Sequence, residues 1–397
     1  MMIKIRARHF ETLEPVDIVI EGSLIASIRT ATCSDTEAAA LPFVSPGFFD
    51  IQINGYNGVW FSSPHLTVEQ VVSTTQALVD RGIARFFPTL ITASFEALQH
   101  GFKTLQQACE ASSLVVNCVE GYHLEGPYIS AKDGPRGAHP IKHVRAADYE
   151  EFSKLQEAAG DRIRLVTLAA EAENAVGFIR KIRQQGVVVA LGHTGASPEQ
   201  ILAAVDAGAQ LSTHFGNGAH SVLPRHPNYL WEQLAEDRLW ASVIADGWHV
   251  PASVLKCVVK CKSKANTILT CDVSGFAGCP PGTYAEGDVN VEVLQDGRLV
   301  VAGQRQFLAG SGASTGDCIV KMMQACQISL AEAVNMASVN PARLFGMNPP
   351  TLNEGQPATL NVFQVANSIG EREMCFEPIE TFVRGQVLSK RTAAQSR

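Results

Sequence analysis

Hydrophobic and polar positions change rhythm twice along this chain. Residues 3–7, 16–20 and 24–28 alternate apolar with polar side chains, with Glu21-Gly22 as a turn, which predicts short half-buried strands up to about Val44. The same alternation returns at the other end in residues 358–363 and 381–383, the turn Arg384-Gly385-Gln386, and Val387-Leu388. Between them, short apolar runs alternate with amphipathic stretches, the pattern of a parallel sheet with helical crossovers. Strands are expected near 48–54, 85–91, 115–124, 163–168, 187–192, 210–214, 240–245 and 267–272. Helices are expected near 67–81, 95–112, 148–159, 172–185, 198–207, 251–260, 313–326 and 329–345. Ser197-Pro198-Glu199-Gln200 and Ser329-Leu330-Ala331-Glu332 carry helix-start chemistry, a capping hydroxyl followed by proline or an acidic residue.

Eight strands separated by helices predict an α/β fold, a (β/α)8 TIM-type barrel, with an open doubly wound sheet as the structural alternative. The two β-rich ends predict a small β-sandwich shared by both termini. The expected domains are therefore 1–45 plus 355–397 for the sandwich and 46–354 for the barrel.

Composition narrows the function classes. With 397 residues, 46% hydrophobic and 18% charged, the chain has ample material for a core. A net charge of -7 supplies no basic field for nucleic acid, although a local Arg and His cluster can still hold a small anion. Ten cysteines are scattered without a compact framework, so reduced thiols and a cytoplasmic location are expected. Cys257 and Cys261, one helical turn apart, read as buried helix-face thiols. Met1-Met2-Ile3-Lys4-Ile5-Arg6 lacks a signal-peptide core, and no apolar run approaches the ~18 residues of a membrane span.

The candidate chemistry lies where strands end. Asp50-Ile51-Gln52-Ile53-Asn54-Gly55, His123-Leu124-Glu125-Gly126-Pro127, Leu191-Gly192-His193-Thr194, Ser212-Thr213-His214-Phe215 and Leu269-Thr270-Cys271-Asp272 each close an apolar run with a ligand-type or acid/base residue. In a parallel barrel such ends converge on one face. A buried Glu125 is costly unless a cation neutralises it or a salt bridge pairs it. A lone histidine after a buried strand is usually a satisfied core group. Glu125, His193 and His214 together, however, make a three-ligand zinc site with one position open, which can acidify a water or polarise a carbonyl. Asp272 is the candidate proton carrier, the alternative being a loop cap of the kind Asp246 provides. His139, in Gly137-Ala138-His139-Pro140, can donate to a substrate carbonyl oxygen. Arg225, His226 and His249, with Asn217-Gly218-Ala219-His220, offer cations and approachable backbone suited to phosphate, although Arg225 alone is an ordinary surface arginine.

These strings, with Pro46-Gly47-Phe48-Phe49-Asp50 and Ile244-Ala245-Asp246-Gly247-Trp248-His249, resemble the N-acetylglucosamine-6-phosphate deacetylase family of the amidohydrolase superfamily across essentially the whole chain. Many amidohydrolases carry His-x-His on the first barrel strand. Gln52 and Asn54 stand there in this chain, as in single-metal deacetylases of the family, and amides are poor zinc ligands. The resemblance implies one divalent ion, Zn2+, on Glu125, His193 and His214, with His139 polarising the carbonyl and Asp272 as acid/base. It further implies a phosphate subsite from Asn217, Gly218, Ala219, His249 and an Arg225 that reaches a neighbouring subunit, hence a homodimer or larger homo-oligomer. The implied substrate is a small N-acetylamino-sugar 6-phosphate, foremost N-acetylglucosamine 6-phosphate. Neither nucleic acid nor membrane is expected as a partner.

The chain departs from the family pattern at Phe215-Gly216-Asn217-Gly218-Ala219-His220, Arg225-His226-Pro227-Asn228 and Val273-Ser274-Gly275, positions around the sugar and phosphate rather than the metal. They leave open an unphosphorylated N-acetyl sugar or an N-acyl amino acid as substrate. A non-catalytic scaffold is the third reading, against which the full set of ligands and the aspartate argues.

Overall fold

The computed structural model describes residues 2–367 and 374–390. Eight parallel strands form its centre: Phe49–Ile53, Arg85–Ile91, Tyr122–Glu125, Ile163–Leu168, Val188–Leu191, Leu211–Ser212, Trp240–Val243 and Thr267–Leu269. They pair in sequence order, and a parallel bridge from Ile53 to Val273 joins the segment just past the last strand to the first strand. Seven of the eight lie within stretches where apolar runs predicted strands, and the third, Tyr122–Glu125, overruns its stretch by one residue; a barrel strand is covered on both faces and reads as continuous hydrophobicity. Phe49, Phe87, Leu165, Val188, Leu211, Ile268 and Phe345 belong to a separate apolar cluster, drawn from the strands and from the residue that ends the helix Val339–Leu344. Phe87 meets Phe49 and Phe345 edge-on at 5.2 and 4.8 Å. The barrel is filled, not hollow, and only its C-terminal strand ends are left for chemistry.

The two chain ends share one seven-stranded sheet. Its order is Gln386–Lys390, Met374–Val383, Leu360–Asn367, Phe43–Pro46, Met2–His9, Pro15–Glu21 and Leu24–Thr30. Phe43–Pro46 joins the halves, running parallel to Met2–His9 and antiparallel to Leu360–Asn367. The alternation that predicted strands places Ile5, Ala7, Val16, Ile18 and Ile20 in the core.

Several local expectations give way to tertiary context. The strand expected over 115–124 begins only at Tyr122, because Ser113–Cys118 is a helix. The Ser112 hydroxyl caps it, and Val115 and Cys118 bury one face. The single helix expected over 329–345 is two, Leu330–Met336 and Val339–Leu344. A continuous helix would drive the Pro341 ring into the carbonyl of Ala337, so the chain breaks at Ser338. Cys257 and Cys261 are exposed rather than buried, since Leu255, Val258 and Lys262 form the inward face of Ala252–Lys262. All ten cysteines are free thiols.

Several elements went unforeseen, among them the short helix Asp35–Ala40, the hairpin Gly55–Tyr56 with Val59–Trp60, and two that come later in the chain. One is the helix Tyr229–Ala235, capped by Asn228. The other is an antiparallel sheet of four strands, Gly282–Glu286, Val289–Val293, Leu299–Val301 and Gln304–Leu308, inserted after the eighth barrel strand. Phe276 ties it to the barrel, packing on Trp60 at 5.5 Å and on Tyr284 at 5.3 Å. Among the described residues no helix is long and apolar enough to cross a membrane.

Candidate active site

Glu125 ends the third barrel strand, and His193, His214 and Asp272 follow the fifth, sixth and eighth. The last three have left-handed backbone, with φ of 49°, 28° and 48°. Non-glycine residues rarely adopt that region, and such strain collects where side chains must be aimed. Glu125 Oε1 lies 2.9 Å from His214 Nε2 and 3.2 Å from His193 Nε2, and the two imidazole nitrogens are 3.0 Å apart. One ligand atom from each residue falls within 4.8 Å of the others, and all three residues are buried.

These residues fit a divalent cation. His193 Nδ1 is 2.9 Å from the Pro135 carbonyl oxygen, which can only accept, so Nδ1 carries the proton and Nε2 presents its lone pair inward. Two nitrogens and a carboxylate oxygen are a zinc-type donor set. In the metal-free site burial pushes the Glu125 carboxyl up, but hydrogen bonds from His193 and His214, each with a proton on Nε2 that a bound cation would displace, outweigh it and hold the group well below the usual range.

Gln52 and Asn54 act as donors here, not as ligands. Gln52 Nε2 donates to Glu125 Oε1 and to Asp272 Oδ1, each at 3.0 Å, and Asn54 Nδ2 donates to Asp272 Oδ1 at 2.7 Å. Thr213 Oγ1 donates to Gln52 Oε1 at 3.3 Å, which sets the amide's direction. Below them Asp50 accepts from Gln52 N, Cys271 N, Thr270 Oγ1 and Thr315 Oγ1 at 3.0, 2.8, 2.5 and 2.7 Å. That buried carboxylate pins the first and eighth strands together on either side of the Asp272 turn. Burial first, then the charge of Glu125, pushes the Asp272 carboxyl up to about 8, against His214 and the Asn54 bond.

His139 is buried beside His193, ring centroids 4.2 Å apart, with Nδ1 2.8 Å from Thr92 Oγ1. Burial, reinforced by the charge of His193, drives its pKa well below the ordinary value, so the ring is neutral at pH 7. Held by Thr92 through one nitrogen, it keeps Nε2 for a ligand. His123, deeper in the barrel between Thr89 and Thr167, is pushed down to about 4 by burial.

A cleft of about 450 Å³ opens above these groups. Asn54, Glu125, His139, His193, His214 and Asp272 line it, so every residue expected to do chemistry meets in one space. Asn217, Gly218, Ala219 and His249 line it as well. Gly218, at φ +56°, lies so close that a Cβ would sit 2.7 Å from His193 Nδ1. Only glycine lets the loop approach this closely. His249 is oriented by Asp246, whose Oδ2 is 2.7 Å from Nδ1.

Arg225 is exposed on the 220–228 loop and does not line the cleft of its own chain, nor does His226. The far wall comes instead from residues that escaped sequence reasoning: Trp60, Trp248, Arg298 and Arg305. The signal for the inserted sheet was present in the alternation Val289-Asn290-Val291-Glu292-Val293 and the hairpin pair Asp296-Gly297. What it would contribute to a cleft was not.

A parallel barrel whose strand ends gather a carboxylate, two imidazoles and a further aspartate is the architecture of metal-assisted hydrolases. The Amidohydrolase family profile matches residues 43–388, and the chain belongs to that family, on its N-acetylglucosamine-6-phosphate deacetylase branch. It is 32% identical to the N-acetylgalactosamine-6-phosphate deacetylase of Escherichia coli O157:H7, over 84% of this chain and 86% of the relative. It is 33% identical to the human N-acetylglucosamine-6-phosphate deacetylase, over 73% and 71% respectively. The crystal structure of N-acetyl-D-glucosamine-6-phosphate deacetylase from Mycobacterium smegmatis superposes with a TM-score of 0.84 at 26% identity, covering 98% of this chain and 100% of that one. A mutant of that enzyme in complex with N-acetyl-D-glucosamine-6-phosphate superposes at 0.82, also at 26% identity, with 94% of each chain covered.

Proposed function

We propose that this protein hydrolyses the acetamide of an N-acetylamino-sugar 6-phosphate, foremost N-acetylglucosamine 6-phosphate, to acetate and the amino sugar phosphate. The observation that carries the reading is the single cleft in which Glu125, His193 and His214 face one another while Gln52 links Glu125 to Asp272. Glu125, His193 and His214 would hold one divalent ion, which we take to be Zn2+. When bound, that ion supplies Lewis acidity toward the acetamide carbonyl and the attacking water.

The chain's own residues then divide the remaining work. His139, neutral and braced by Thr92, donates through Nε2 to the carbonyl oxygen as charge develops on it. Asp272 takes a proton from the water at a carboxylate oxygen as the new C–O bond forms. It returns that proton to the amine nitrogen as the C–N bond breaks. Gln52 and Asn54 hold the carboxylate in line throughout. Asn217, Gly218, Ala219 and His249 bound the space for the sugar and its phosphate.

We further read the chain as two domains, 1–45 plus 355–397 and 46–354, in a cytoplasmic enzyme that assembles as a homodimer or larger homo-oligomer. Arg225, free of its own cleft, is available to a neighbouring subunit. The test is acetate release from N-acetylglucosamine, N-acetylgalactosamine and N-acetylmannosamine, each with and without a 6-phosphate, by zinc-loaded protein. Turnover of at least one 6-phosphate and weaker turnover of its parent sugar is expected. Acetate from none of the six would overturn the assignment.

A further inference from the structure

The cleft holds a cationic wall that the family's site residues do not include. Among the described residues lining it, Arg298 and Arg305 are the only lysines or arginines. Both come from the inserted sheet, Arg298 at the hairpin between Val289–Val293 and Leu299–Val301, Arg305 on the edge strand Gln304–Leu308. The segment just after the insertion is bonded to the reaction centre, because Ser311 N donates to the Asp272 carbonyl at 2.8 Å. Glu286 bonds Ser63, and Asp288 pairs with Lys142 and His143 at 2.6 and 3.0 Å, fixing the far corner of the insertion to the loops that follow the first and third barrel strands.

The guanidinium of Arg298 lies 4.7 Å over the Trp248 ring, next to His249 in sequence. Arg298 uses Nε and Nη2 to hold Asp296, and Arg305 uses Nε and Nη2 to hold Glu292. In each case Nη1 stays outside the ion pair. Exposed pairs of this kind are weak and salt-screened, so an entering dianion competes with them or shares the guanidinium.

Resting on the deacetylase reading, we infer that Arg298 and Arg305 are the phosphate-recognising residues of this chain, acting within their own subunit. A hexosamine 6-phosphate carries its acetamide on C2 and its phosphate across the ring on C6. With the acetamide at Glu125 and Asp272 on the floor, the phosphate is directed to the rim. There the permanent positive charge that the subunit itself supplies is on these two arginines, since its own Arg225 is exposed outside the cleft.

The test separates recognition from turnover by using products. Glucosamine 6-phosphate and glucosamine are titrated calorimetrically into zinc-loaded protein, wild type, R298A/R305A, R298K and R225A. Wild type is expected to prefer the phosphorylated sugar. R298A/R305A should shrink that preference by roughly 10- to 100-fold, the scale of one or two lost charge-assisted hydrogen bonds. R298K keeps the charge but loses the planar fork, and should retain part of the preference. The inference is overturned if the double variant keeps the full preference, if R225A alone abolishes it, or if wild type shows none. Should wild type release no acetate yet lose its phosphate preference in the double variant, the arginine assignment stands and the deacetylase reading falls.

Discussion

The floor and the rim of the cleft are built on opposite terms. On the floor, Glu125, His193, His214 and Asp272 are buried, each fixed by the end of a different barrel strand and joined by amide donors. On the rim, Trp248, Arg298 and Arg305 stand on exposed turns and an inserted sheet, and the arginines are held by surface carboxylates. A closed barrel pre-sets the geometry of bond breaking, which tolerates little error. Loops and insertions decide what is brought to it. Changes on the floor should therefore remove turnover, and changes on the rim should redistribute it among substrates.

Predictions follow that division, starting from the floor. His193→Ala or His214→Ala should strip the metal and lower acetate release by about 10³-fold or more, since Lewis acidity contributes several kcal/mol. Retention of metal with wild-type turnover, by elemental analysis and steady-state assay, would place the site elsewhere. Asp272→Asn keeps the shape and the hydrogen-bonding partners of the carboxyl group, so metal should stay bound while turnover drops about 10²–10⁴-fold.

Asn54→Ala tests the orientation of that carboxylate. Its hydrogen bond favours the charged form of Asp272, and losing it should lower kcat/KM roughly tenfold at neutral pH. The pH profile adds a sign. Asp272 works as the base form, so kcat/KM should rise with pH through its pKa and level off above it. Burial and the Glu125 charge hold that pKa up at about 8 in the metal-free site, and a cation on Glu125 cancels the second cause, so the limb of the loaded enzyme should fall below 8. Asn54→Ala should move the limb upward; a downward move would contradict the role given to the amide.

Gly218→Ala joins floor to rim and should have the smallest effect. Its Cβ would press on His193 from a left-handed backbone, costing about 1–3 kcal/mol of strain, read as weaker metal affinity and a lower Tm.

The floor was legible because the same residues that make a buried strand announce where it ends, and the polar residue just past that end is already on the active face. Glu125, His193, His214 and Asp272 were all read this way. Legibility failed where one local signal had two outcomes. The β-branched pair Val115-Val116 suits a strand, yet the hydroxyl of Ser112 and a core-facing spacing of three turn it into helix. Pro341 sits inside an otherwise periodic stretch and splits it. The rim was illegible for a different reason. Alternation can reveal the strands of the insertion, but whether Arg298 faces a cleft depends on how a sheet leans on a barrel far away in sequence. The reach of Arg225 likewise depends on its neighbours, and possession of a guanidinium says nothing about where it goes.

The most direct measurement is a Zn2+ titration of chelator-stripped protein, following acetate release from N-acetylglucosamine 6-phosphate at each addition. Turnover should start near zero, rise linearly and saturate at one equivalent per chain. Full turnover in the stripped protein, or saturation only at two equivalents, would contradict a single ion held by Glu125, His193 and His214.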